Sequence, residues 1–202
     1  DKFFAAMSHE LRTPLTTIIG NSDILSEGEL NEDQSQLLES IEISGKSLLS
    51  LVNDILDLSK IEAGKFEINY APFDLAMLLY EIESIFMARS RNSGLKFNIK
   101  QVELTHKIWG DGKRIGQILI NLLSNAVKFT EQGHVTLTVS LDKSLYFSVE
   151  DTGIGMNKEA LDRLFQPFEQ ANSTISQRFG GTGLGLHISW SLAELMKGEI
   201  QV

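Results

Sequence analysis

His9 is the first residue whose type and setting could do chemistry. It lies two residues after Met7 and two before Leu11, in a stretch with apolar side chains at helical steps. At ~100° per residue, a two-residue step turns ~200° around a helix, so the imidazole faces away from the apolar seam and into water. An exposed imidazole keeps a pKa near ~6.5 and is mostly a neutral nucleophile at neutral pH. Glu10 beside it can take the proton from the second ring nitrogen, which strengthens the first. A plain surface histidine would read the same way, so His9 alone decides nothing. Zinc chemistry of the HExxH kind is excluded, because position 13 is Thr.

Three further groups could hold a phosphorylated ligand. Asn121 and Asn125 are four apart and share one helix face, with Lys128 and Phe129 a turn later. Amide oxygens suit Mg²⁺, which completes its shell with water and phosphate, and Lys128 can neutralise phosphate charge. Two asparagines beside Ile118, Leu119, Leu122, Leu123 and Val127 are costly unless they bind something, although a polar flank would also contain them. Asp151-Thr152-Gly153-Ile154-Gly155 follows an alternating segment. Its carboxylate can accept from an exocyclic amine such as adenine's, and its glycines allow close approach, but many ordinary turns read alike. Gly180-Gly181-Thr182-Gly183-Leu184-Gly185-Leu186 runs into a helix. Glycine-rich amides at a helix start make an anion site, or else a flexible hinge. No Gly-Lys-Ser/Thr follows, so this is not a Walker A loop, and Leu186 stands where a GxGxxG motif needs its third Gly.

These residues need elements to position them. Phe4, Met7, Leu11, Ile18 and Leu25 mark one helical seam, with Pro14 inside it as a potential kink. Leu37, Ile41, Leu48, Val52, Ile55 and Leu56 mark a second, after a polar connection at 26–33. Two helices bury little, so the economical solution is pairing with a second copy into a four-helix bundle. Gly64 and Pro72 mark a boundary. Beyond it, 74–87 reads as a helix capped by Asp74, 95–102 as a strand, and 112–129 as a helix capped by Asp111. Segments 134–141 and 145–150 alternate and form a hairpin around 142–144, and a short helix lies near 159–164. Residues 184–196 read as a helix and 199–202 as the start of a strand. The second half is an α+β layer with a mainly antiparallel sheet.

Composition narrows the class. Of 202 residues, 42% are hydrophobic and 22% charged, as in soluble globular proteins. A net charge of -9 argues against nucleic acid or an anionic membrane surface as partner. The absence of cysteine excludes disulfides and thiol nucleophiles. No apolar run is long enough to span a bilayer, so this segment is not membrane-embedded, and it reads as a piece of a longer protein.

Taken together, the segments resemble sensor histidine kinases. Residues 8–15 (SHELRTPL) are similar to their H box, 121–130 (NLLSNAVKFT) to the N box and 151–156 (DTGIGM) to the G1 box. Residues 164–170 (LFQPFEQ) are similar to the F box and 181–186 to the G2 box, with wording nearest to hybrid-type kinases. The resemblance implies an all-α dimerisation and phosphoacceptor domain over 1–66, forming a dimeric four-helix bundle. A linker over 67–73 would act as a hinge, and 74–202 would be an ATP-binding two-layer α/β sandwich of the GHKL type. Family members usually add strands after this point, so the sheet would be cut short.

By the same resemblance His9 is the phosphoacceptor, Glu10 its base, and Thr13 positions water when the core acts as a phosphatase. Asn125, helped by Asn121, holds Mg²⁺, Lys128 touches phosphate and Phe129 lines the nucleotide. Asp151 reads the adenine amine, with Gly153 and Gly155 giving close approach. Residues 157–180 form an ATP lid anchored by Phe165 and Phe168, and Arg178 reaches the γ-phosphate. Gly181, Gly183 and Gly185, with Thr182 and Leu184 between them, cradle phosphates. The implied partners are a second copy and a receiver domain, and the implied setting is the cytoplasmic part of a membrane-anchored sensor. The rivals are a GHKL ATPase that hydrolyses ATP, for which Asn121 stands where a water-activating Glu is needed, and a dimerising scaffold without catalysis.

Overall fold

The computed structural model describes residues 2–101, 108–167 and 183–202, with backbone alone for 2–9 and 91–93. It divides into two units, Asp1–Phe66 and Glu67–Val202.

The first unit is a hairpin of α1 (Lys2–Ser26) and α2 (Glu32–Glu62), and α1 runs through Pro14 without ending. Asn31 starts α2. Its side chain accepts from Gln34 N at 2.9 Å, while the Gln34 side chain accepts from Asn31 N at 3.0 Å. This reciprocal pair satisfies two of the N–H groups that a helix start leaves open. The buried side chains between the helices include Leu15, Ser22, Leu38, Val52 and Leu58. The seam expected from the sequence is largely a different face. Leu11, Ile18, Leu25, Leu37, Ile41, Leu48 and Ile55 all remain exposed in the single chain. A helix that contacts neighbours on two sides carries a wider apolar face than one hairpin can cover.

In the second unit, β1 (Ala71–Phe73) pairs antiparallel with β3 (Ile108–Gly110). β2 (Lys96–Gln101) pairs parallel with β4 (His134–Leu141), which pairs antiparallel with β5 (Leu145–Asp151). α3 (Leu75–Ser93) and α4 (Gly112–Phe129) pack on this sheet, and α6 (Gly185–Leu195) packs on α4. α5 (Lys158–Arg163) is a short helix after β5. The core joins Leu79, Ile82 and Phe86 of α3 and Leu119 and Leu123 of α4 to Phe97, Val135, Leu137 and Val139 of the sheet.

Three features differ from the sequence reading. The expected antiparallel pairings are present, but β2 and β4 run parallel, with α4 in the crossover that a parallel pair requires. Residues 71–73, placed in the linker, form a strand of the second unit, and Asn69 N is already bound there by Asp111 Oδ2 at 3.0 Å. The strand expected at 199–202 is irregular: no ladder among the described residues pairs with it, and unpaired backbone does not hold a strand.

Candidate functional site

α4 carries four expected site residues, and its burial pattern sets where they lie. Gly116, Leu119, Leu123 and Ala126 are buried, which fixes the roll of the helix. Asn121 and Asn125 fall on a half-buried flank. Asp111, only 7% exposed, anchors the helix start: Oδ1 accepts from Arg114 N at 3.1 Å while Oδ2 holds Asn69 N.

The end of α4 is joined to the turn after β5. The Phe129 carbonyl accepts from Ile154 N at 3.2 Å. Gly153 approaches the same carbonyl so closely that a Cβ would overlap it, which is why only glycine fits. Asp151 Oδ1 accepts from Gly153 N at 2.8 Å. One carboxylate oxygen thus shapes the turn, and Oδ2 keeps its capacity to accept. Thr152 Oγ1 accepts from His134 N at 3.0 Å, and Thr152 N donates to His134 O at 3.2 Å, tying the turn to the start of β4. Gly155 follows with φ 66°.

α6 closes the third side. Leu184, Ile188 and Leu192 are buried, so the helix is seated firmly. Asn121 Nδ2 donates to Ser189 Oγ at 2.9 Å, and a Cβ on Gly185 would overlap Asn121 Oδ1. His187 Nδ1 donates to the Phe165 carbonyl at 2.7 Å, so Phe165 is held at the base of this helix. The asparagine flank of α4, the 151–155 turn and the start of α6 therefore belong to one construction.

Its chemistry suits a nucleotide. A half-buried Lys128 lies with Nζ 4.9 Å from the Phe129 ring centroid, and burial lowers its pKa. An anion placed beside it would oppose that shift. A helix start with Gly183 and Gly185 offers N–H groups to an anion. For a cation the donors are amide oxygens. The described residues hold no group of three His, Cys, Asp or Glu able to bind a metal. Two amide oxygens would leave a divalent ion positions for ligand phosphate and water, an arrangement that suits Mg²⁺.

His9 lies in α1, with its side chain outside the described residues, and Glu10 and Thr13 are exposed. Close by in sequence, Arg12 Nη2 donates to Asn53 Oδ1 at 2.7 Å, tying α1 to α2. Burial, with the Asp57 carboxylate as the smaller cause, pushes the neighbouring Asp54 carboxyl from 3.8 up to about 6. Phe168, Arg178, Gly181 and Thr182 lie outside the described residues, as does most of the expected lid. The sequence reading missed Ser189, His187 and Asp54, and named Thr152 within its motif without giving it a role. Ser189 had a usable signal: it follows Gly185 by one helical turn and so shares its face.

Comparison with known proteins follows the same division. Residues 1–64 match the His Kinase A (phospho-acceptor) domain, and residues 110–202 match the histidine kinase-, DNA gyrase B- and HSP90-like ATPase family. The chain is 40% identical over 208 residues to the autoinducer 2 sensor kinase/phosphatase LuxQ of Vibrio parahaemolyticus, covering 99% of this chain and 24% of that protein. It is 41% identical over 204 residues to the aerobic respiration control sensor protein ArcB of Escherichia coli, covering 99% and 26%. It is 45% identical over 210 residues to the circadian input-output histidine kinase CikA of Synechococcus elongatus, covering 100% and 28%. The chain thus spans about a quarter of the length of these relatives. The structure of full-length ShkA in complex with AMPPNP superposes with a TM-score of 0.76 at 35% identity, covering 97% of this chain and 41% of that one.

Proposed function

Because this chain belongs to the sensor histidine kinases and carries both of their core domains, we propose that it moves the γ-phosphate of ATP onto His9 and then onto an aspartate of a receiver domain. The observation that carries the reading is the joining of Asn121, Lys128–Phe129, Asp151–Gly155 and Gly185 by direct hydrogen bonds and close approach.

In this reading Asp151 Oδ2 accepts from the adenine amine, and Phe129 lines the base. Gly153 and Gly155 admit the nucleotide, Lys128 meets phosphate, and the 181–185 segment cradles the phosphate chain. Asn125, with Asn121, would hold Mg²⁺. Bound there, Mg²⁺ supplies charge stabilisation to the β- and γ-phosphates. Arg178 reaches the γ-phosphate, and Phe165 and Phe168 anchor the lid. One ring nitrogen of His9 bonds the γ-phosphorus as the bond to the β–γ bridging oxygen breaks, and ADP leaves. Glu10 takes the proton from the other ring nitrogen. Thr13 positions water when the core removes phosphate from its partner.

The exposed seam of the hairpin supports a homodimer, since Leu37, Ile41 and Leu48 would otherwise face water. The hinge between the units narrows to residues before Asn69, which is already fixed on Asp111. Among the described residues no helix is long and apolar enough to cross a membrane. The reading places this segment on the cytoplasmic side of a membrane-anchored sensor.

Hydrolysis is the less favoured outcome. A hydrolase of the related ATPase kind would need a carboxylate base at position 121, whereas Asn121 has no basic group and its nitrogen is held by Ser189. The His9→Gln variant tests the reading. It should bind nucleotide as the wild type does and accept no label from γ-labelled ATP. Labelling that survives the change would sink His9 as acceptor.

A further inference from the structure

On one side α6 meets α4, where Gly185 and Ser189 lie against Asn121. His187 stands two residues from each of them. A two-residue step turns ~200° around a helix, so its ring leaves from the opposite side. There Nδ1 lies 2.7 Å from the Phe165 carbonyl, in the turn that ends α5. The hydrogen of this contact is committed. A carbonyl oxygen only accepts, and a ring carbon comes no closer to one than about 3.3 Å, so the contacting atom is a nitrogen that bears hydrogen. Nδ1 bears it in the charged ring and in one neutral tautomer, and the carbonyl selects that tautomer. Trp190, one turn further along α6, stacks on the ring with centroids 6.4 Å apart and planes at 29°, which limits its rotation. Phe165 and His187 are 22 positions apart, so this bond joins the two ends of one long segment. Bringing such ends together costs conformational entropy, and here they are joined before any ligand arrives.

We propose that His187 is a positioning residue for the terminal phosphate: its Nδ1–H pins the Phe165 backbone to α6 and so holds both ends of the phosphate-binding segment. This inference deepens the nucleotide-site reading above and rests on it. Between the pinned ends that reading puts Arg178 at the γ-phosphate and residues 181–185 along the phosphate chain. The groups it assigns to adenine, Asp151 and Phe129, belong to β5 and α4 and lie outside the segment. Leu184, Ile188 and Leu192 seat α6 without help from His187, so the helix stays in place when the pin is lost. The loss should therefore fall on the third phosphate rather than on the base.

The test displaces a fluorescent trinitrophenyl-ATP from the full chain with AMPPNP and with ADP, both in Mg²⁺. His187→Leu keeps the branching of the side chain and removes the donor. It should weaken AMPPNP by roughly threefold to tenfold, the scale of one hydrogen bond. ADP affinity should stay within about twofold, and the melting profile should be unchanged. His187→Asn returns an N–H at the same distance along the side chain and should restore AMPPNP affinity. No loss in His187→Leu, equal losses for AMPPNP and ADP, or a His187→Asn chain as weak as His187→Leu would overturn the positioning role while leaving the nucleotide site intact. A wild-type chain that binds neither nucleotide would overturn both, and the wild type alone reveals that case.

Discussion

The two units solve the burial problem in opposite ways. The second unit closes on itself: Phe86, Leu123, Val135 and Leu137 are fully buried, and its candidate site is cross-braced from three elements. The first unit leaves a row of leucines and isoleucines on its surface, and the polar ties Arg12–Asn53 and Lys46–Asp23 between its helices are exposed. A rigid, self-sufficient unit suits holding a ligand in fixed geometry. A hairpin with an unfinished apolar face suits a surface that exchanges partners. The two units thus differ in packing style as well as in motif.

That contrast can be broken at either end. The largest effect should come from the braced site. Asn125→Ala should lower the rate of label transfer from ATP by about tenfold to a hundredfold, the scale of disturbed metal sites, with hairpin melting unchanged. Next is the core itself. Leu123→Ala should destabilise the second unit by about 2–5 kcal/mol in urea unfolding, whereas the exposed Leu37→Ala should leave that transition in place and weaken self-association instead. Asp111→Ala removes both a helix cap and the tie to Asn69, and should cost the second unit about 1–2 kcal/mol.

A smaller effect concerns pH and the first unit alone. The Asp54 pKa is raised on folding, from 3.8 to about 6, so the folded hairpin holds this proton more tightly than the unfolded chain. Its contribution is complete below the unfolded value and is lost as pH rises through the folded one. The hairpin should therefore melt higher at pH 5 than at pH 7, by an amount reduced by the solvent around a half-buried group. Asp54→Asn should raise stability at neutral pH and flatten the profile, and a melting series across that range checks it. The smallest effect belongs to Lys46, which lies 3.1 Å from Glu42 and 3.9 Å from Asp23 on the surface. Lys46→Ala should change stability by less than about 0.5 kcal/mol.

Local features of this molecule were readable from sequence, and partnerships were not. Asp74 and Asp111 announced their helices because a cap is a contact over three residues. The 134–151 hairpin showed because alternation and a short turn are local. β1 and β3 have three residues each, too few for any period to appear. The parallel pairing of β2 with β4 depends on a crossover, and no residue in either strand encodes its neighbour. The α1 and α2 seams were visible, but apolar spacing cannot say which face closes the hairpin and which meets a second copy. At the site, the asparagines, the DTG turn and the glycines were legible as residue types. The bonds that Ser189, Thr152 and His187 make were not, because each reaches a partner at least 18 positions away in the chain.

The proposed reaction carries phosphate from the braced site to the exposed hairpin. Its most direct test is incubation of the chain with γ-labelled ATP, followed by acid and alkali treatment. Label on the protein should survive alkali and be lost in acid, as a phosphorus–nitrogen bond requires. Free phosphate accumulating beside unlabelled protein would contradict it.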